Sequence, residues 1–144
     1  MKHFALAFAL LLLTVSANAQ GSKTSNDDSS AVRTTVRNYI EAYYTGDAAR
    51  MEQTLHPHYL KHMIHGGVPV REKTALQMVS DVRSQQGPPS DLPQAVRTED
   101  ISVLDISGDI ASAKLVTPHW VDYVTLAKWD GGWKILSVVQ RIDN

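Results

Sequence analysis

Residues 98–142 read TEDISVLDISGDIASAKLVTPHWVDYVTLAKWDGGWKILSVVQRI, and the fold turns on them. Apolar and polar side chains alternate through this stretch, which is the spacing of strands with one face buried. Four strands are expected, at about 98–106, 110–117, 119–129 and 133–142. Ser107-Gly108-Asp109 and Asp130-Gly131-Gly132 are turn sequences between them. Pro118 cannot donate to a ladder, so it marks a bulge or bend between the second and third strands. Consecutive strands joined by tight turns make an antiparallel meander.

Upstream the period is helical. Val32, Val36, Tyr39, Ile40 and Tyr43 recur three and four residues apart, so a helix over about 31–45 carries them on one face. Gly46 suits its C-terminal cap, and Asp47 caps a shorter helix over about 48–55 that Pro57 stops. Tyr59, Leu60, Met63 and Ile64 fit a short strand or a helical turn, and Gly66-Gly67 with Pro69 marks a loop. Ala75, Leu76, Val79 and Val82 place a third helix over about 71–85. The proline-rich stretch from Gly87 to Pro93 reads as a loop. Helices first and strands last make an α+β domain, with three N-terminal helices packed on one face of a strongly curved antiparallel sheet.

The N-terminal stretch MKHFALAFALLLLTVSANA, residues 1–19, is expected to be removed. Lys2 starts it, an apolar core follows, and Ala17-Asn18-Ala19 presents small residues before Gln20, which is the layout of a cleaved secretory signal peptide. Cleavage after Ala19 places the protein in the periplasm or outside the cell. The run is too short for a comfortable membrane span, so no membrane association is expected after cleavage. Residues 20–30, QGSKTSNDDSS, have no apolar side chain and read as a disordered leader. Residues 31–144 form the domain.

Composition narrows the function. The full chain has 144 residues, is 43% apolar, lacks Cys and carries a formal charge of -1. Residues 1–19 hold 14 of the 62 apolar side chains and both Phe residues. A single domain without disulfides must hold together by packing. The lack of a basic excess argues against a nucleic-acid partner. No Gly-rich phosphate loop and no GxSxG elbow is present.

The order of these segments is that of a known superfamily. Tyr39-Ile40-Glu41-Ala42-Tyr43-Tyr44-Thr45-Gly46-Asp47, His56-Pro57-His58, Asp105 to Lys114 and Trp133-Lys134-Ile135 carry the likeness. The chain resembles the nuclear transport factor 2-like superfamily over about 31–142, the fold shared by SnoaL-type cyclases and ketosteroid isomerase. Within it, the resemblance is to the small bacterial group labelled putative lumazine-binding. It implies a cone-shaped fold with a cavity at the wide end, used by members for isomerisation, dehydration, cyclisation or binding. It also implies a homodimer paired through the exposed face of the sheet. Fold alone names no reaction.

Candidate site residues follow. His56, His58, His62 and His65 are crowded together, and histidine titrates near neutrality. In isomerase-like relatives the general base is a carboxylate just after the second helix. Here His62 or the neighbouring Lys61 stands near that place. Alternation along the third strand separates Trp120, Asp122, Val124 and Leu126 from His119, Val121, Tyr123 and Thr125. Val124 and Leu126 make the Asp122 face the inward one, where a carboxylate could transfer protons or anchor a ligand. The opposite register would place Tyr123 and His119 inside. At most one phenol of Tyr39, Tyr43 and Tyr44 is expected to reach the cavity, and Tyr43 is the choice. Trp133 belongs to the core.

The expected lining is therefore His62 and Asp122 as proton-transfer groups, if there is catalysis, with Tyr43, His58, Trp120 and Tyr123 contacting a small organic ligand. No cofactor is implied. A metal held by the His cluster with Asp122 or Glu72 is a competing reading, but without HExxH or Cys none is expected. A binding protein is the first reading, and a lyase or isomerase with a His or Asp base is the alternative.

Overall fold

The computed structural model describes residues 20–84 and 100–142, with side chains from residue 26 onward. The expected signal peptide and the Gly87–Pro93 loop lie outside the described residues. Nine elements follow one another: α1 Gln20–Thr45, α2 Ala48–Thr54, β1 Leu55–His65, β2 Val68–Thr74, α3 Ala75–Arg83, β3 Asp100–Ser107, β4 Ile110–Val116, β5 Trp120–Trp129 and β6 Gly132–Ile142. Among the described residues, three helices and one curved, mostly antiparallel sheet make an α+β fold. No described helix is long and apolar enough to cross a membrane.

The sheet order is β2-β1-β6-β5-β4-β3. The last four strands form the expected meander, with Gly108 at φ 64° and Gly131 at φ 76° in its turns. Positive φ costs glycine little, which suits these two positions. The sequence reading is corrected at the other end of the sheet. β1 and β2 form a hairpin between α2 and α3, so the helices do not all precede the strands. β1 then runs parallel to β6, which a hairpin-only topology would not allow.

Val32, Val36, Tyr39 and Ile40 on α1 are buried as their spacing requires. They pack with Met78, Val79 and Val82 of α3 and with Leu115, Val124, Leu126, Trp133, Ile135 and Val138 from the sheet. Asp47 caps α2 by accepting from the Arg50 backbone N–H at 2.9 Å. Thr74 and Gln77 form a capping box at the start of α3.

Two helix boundaries differ from the sequence reading. α1 begins at Gln20 rather than near 31, so the residues read as a leader are helical. Tertiary contact explains part of this. Asp28 Oδ1 accepts from Trp133 Nε1 at 3.0 Å, and Asp28 Oδ2 accepts from Lys128 Nζ at 3.0 Å. The third helix is shorter than expected, because residues 71–74 belong to β2. β2 is an edge strand with almost every side chain exposed, so it has no buried alternate positions to reveal it.

A β-bulge decides which residues of β6 face inward. Thr125 pairs with Ser137 while Leu126 pairs with Ile135, leaving Leu136 as the extra residue. The inward face is Trp133 and Ile135 before the bulge, then Val138 and Gln140 after it. Simple alternation from Trp133 would carry its face on through Ser137 and Val139, and the bulge breaks it. Val139 is 45% exposed.

Candidate functional site

The inward halves of these elements enclose a cavity of about 220 Å³. Tyr39, Ile40 and Tyr43 of α1 and Met78 of α3 form one side. Lys61 and Met63 of β1, Lys73 of β2, Trp120 and Asp122 of β5, and Gln140 and Ile142 of β6 form the other, with His119 before β5. Mixed apolar and polar lining suits a small organic molecule, and the volume lies below the roughly 300–1,000 Å³ of drug-sized sites.

Strand alternation places the polar groups. On β1, Tyr59 and Lys61 point inward and are buried, and His62 points to the opposite face. On β5, Asp122, Val124 and Leu126 are all buried, so the Asp122 register of the sequence reading is the observed one. Asp122 lies directly opposite Gln140, which the Leu136 bulge has turned inward.

The centre of the site is a buried pair of ionisable groups. Asp122 has no exposed surface, and Lys61 is 5% exposed. Lys61 Nζ donates to Tyr39 Oη at 3.0 Å and stands 3.8 Å from Asp122 Oδ2, an ion-pair distance but too long for a hydrogen bond. Neither Asp122 oxygen has a hydrogen-bond partner, and neither has the Trp120 indole N–H. Buried polar atoms are normally satisfied, so three orphans against one cavity are the groups a ligand or water would engage.

Burial pushes the Asp122 carboxyl up from its ordinary value, and nearby Lys61, Gln140 and Trp120 oppose the rise. Burial pushes the Lys61 ammonium down, Asp122 opposes this, and Lys73 adds to it. Tyr39 and Tyr43 phenols are both raised, chiefly by burial. All four groups are thereby moved toward their uncharged forms.

An aromatic wall completes the site. Tyr43 meets Trp120 edge to face with ring centres 5.8 Å apart, and Tyr44 lies 6.4 Å from Trp120. Lys73 is held by Asp81 of α3 through an ion pair.

The residues singled out by sequence divide into two groups. Asp122, Trp120 and Tyr43 line the cavity together. His62, His58 and Tyr123 do not line it. His62 Nδ1 faces Glu72 Oε1 at 3.0 Å across the β1–β2 hairpin. His58 is exposed beside His56, with ring centres 5.6 Å apart. Tyr123 is 51% exposed on the outer sheet face, under Lys114 Nζ at 5.7 Å from its ring centre. Among the described residues, no group of three or more His, Cys, Asp or Glu gathers as a metal site would require. Two phenols reach the cavity, Tyr39 and Tyr43, where sequence allowed one. Polar lining residues outside the expected set include Lys61, Tyr39, Lys73, His119 and Gln140. For Lys61, parity with Tyr59 and Met63 serves only once the pairing of β1 with β6 is known. For Gln140 there was no signal, because the Leu136 bulge leaves no mark in the sequence.

The family described as "Putative lumazine-binding" matches residues 27–140, from the last turns of the α1 extension to the cavity end of β6. The chain belongs to this putative lumazine-binding family. Solved structures similar to this family member share its fold. One from Silicibacter pomeroyi, described as nuclear transport factor 2-like, is 18% identical with a TM-score of 0.65, covering 83% of this chain and 98% of that one. Another from Novosphingobium aromaticivorans, described as having a cystatin-like fold, is 12% identical with a TM-score of 0.61, covering 91% of each chain. A third, from Shewanella baltica, is 13% identical with a TM-score of 0.60, covering 88% of this chain and 99% of that one. At such identities the likeness is one of fold. No curated protein matches the chain.

Proposed function

We propose that this putative lumazine-binding family member is a secreted protein that holds a small organic molecule in the cavity of a cone-shaped fold. One observation carries the reading: Asp122 and Trp120 present unpartnered polar atoms on the wall of the cavity. The carboxyl can accept from or, when protonated, donate to a ligand, and the indole N–H can donate to its acceptor. Tyr43 and Trp120 supply two aromatic rings set edge to face. The family label makes lumazine the first compound to try. Native mass spectrometry of protein purified from its own periplasm is the test. A retained small molecule that is lost from Asp122→Ala and kept by His62→Ala supports the site. Retention in Asp122→Ala and Trp120→Ala alike would overturn it.

A second reading is favoured by the Lys61–Asp122 pair. An Asp122 carboxylate could abstract a proton next to a substrate carbonyl, with Trp120 N–H and Lys61 facing the developing oxyanion. That chemistry would make the protein a lyase or isomerase. It assigns the base to Asp122, since His62 does not line the cavity.

We also infer a homodimer through the outer sheet face. Lys114, Tyr123, Val139 and His62 lie side by side across β4, β5, β6 and β1, and Tyr123 and Val139 are exposed.

A further inference from the structure

We propose that Lys61 is a covalent anchor, whose amine condenses with an aldehyde or ketone in the cavity to form an imine. The proposal rests on the cavity being the ligand site and names the chemical class of ligand it takes.

Among the described lysines and arginines, Lys61 alone is buried. A lysine used only for charge would sit at the surface, where its ammonium is hydrated. This one lines the cavity wall. Its one hydrogen-bond partner there is a phenol, Tyr39 Oη, at 3.0 Å. Its ion-pair partner, Asp122, is at 3.8 Å, too far to hold the amine by a hydrogen bond. The nitrogen is therefore held by a single directed contact and keeps room to approach a carbonyl carbon. Burial and the nearby Lys73 charge favour the free amine, the form that can attack.

The chemistry balances with the residues present. With its carboxyl protonated, Asp122 can act as acid and base in turn. The Lys61 lone pair forms the C–N bond, and the carbonyl π pair moves to oxygen, which takes the Asp122 proton. The new ammonium returns a proton to Asp122. Asp122 then protonates the carbinolamine hydroxyl, the C–O bond breaks and water leaves. The second N–H proton passes to Asp122 as C=N forms. The released water carries the original Asp122 proton and the first amine proton, and the second amine proton leaves Asp122 protonated as it began. Trp120 and Tyr43 beside the pair suit a carbonyl carried on a flat ring.

Trapping tests this directly. The full chain is incubated with benzaldehyde and sodium cyanoborohydride at neutral pH, and the labelled lysines are mapped by peptide mass spectrometry. The hydride converts any imine to a stable benzylamine. The expected result is one benzyl group on Lys61, gained at least about tenfold faster than on any exposed lysine, because the cavity holds the aldehyde beside the amine. Asp122→Asn should slow that labelling by about tenfold or more while circular dichroism stays unchanged. Labelling of Lys61 no faster than of Lys114 or Lys134 in the unaltered protein would overturn the proposal, whatever the variant does. Ligand-observed NMR with benzaldehyde, without reductant, separates the two readings. Binding without Lys61 labelling removes the imine and leaves the cavity site. Neither binding nor labelling removes both.

Discussion

The Trp133 indole Nε1 donates to Asp28 Oδ1 across 3.0 Å, joining residues 105 positions apart. With Lys128 on the second oxygen, the contact fastens the early turns of α1 to the β5–β6 hairpin. Lys128 first and Trp133 second hold the Asp28 carboxyl below its ordinary value. A carboxyl whose folded value is depressed stabilises the fold above its unfolded pKa, about 3.9. That stability is lost as the pH falls through the lower, folded value. Asp28→Asn should therefore weaken the acid limb of the stability curve, and amide exchange should quicken over the first turns of α1. Acid titration followed by circular dichroism, with hydrogen exchange, checks both. Unchanged exchange would show that the helix extension does not depend on this contact.

The buried Lys61–Asp122 pair should cost stability. Replacing a buried ion pair with apolar side chains of similar volume is often neutral or stabilising by about 1–4 kcal/mol. Lys61→Met with Asp122→Leu is expected to unfold at higher urea concentration than the unaltered protein and to lose its ligand. A large loss of stability would mean that the pair is structural.

Lys61→Met alone should steepen a pH slope. The folded Asp122 carboxyl, already raised by burial, loses the Lys61 cation that opposes that rise. A carboxyl with a raised folded value binds more protons folded than unfolded, so stability falls as pH rises above about 3.9. Urea midpoints for this variant should drop between pH 4 and 8 more steeply than for the unaltered chain.

Ile135 has no exposed surface and sits just before the Leu136 bulge. Ile135→Val should cost about 0.5–1.5 kcal/mol and Ile135→Ala about 2–5 kcal/mol, measured by urea unfolding. The ligand should still bind to the valine variant, because Ile135 does not line the cavity.

The proposed dimer depends on Tyr123 and Val139. Tyr123→Glu should shift sedimentation toward the monomer and leave the circular dichroism unchanged. A monomeric unaltered protein at micromolar concentration would remove the dimer.

How much of this was legible depends on what the neighbours add. The meander and the α1 face announce themselves because Val32, Val36, Val124 and Leu126 are buried on regular spacings. Asp122 was legible for the same reason, from Val124 and Leu126 on its strand. β2 was not, since an exposed edge strand has no apolar alternation. The α1 extension was hidden because its anchor, Trp133, lies at the far end of the chain. Lys61 was passed over in favour of His62 because parity after Pro57 needs the pairing of β1 with β6. That pairing skips from Leu55 opposite Ile135 to Leu60 opposite Ser137.

The extra residue at Leu136 divides β6 into two territories. Substitutions at Trp133 and Ile135 before it fall on the core, and those at Gln140 and Ile142 after it fall on the cavity wall. Gln140 and Ile142 can drift toward new specificities while Trp133 and Ile135 stay fixed, so one strand can keep an old scaffold and explore new ligands.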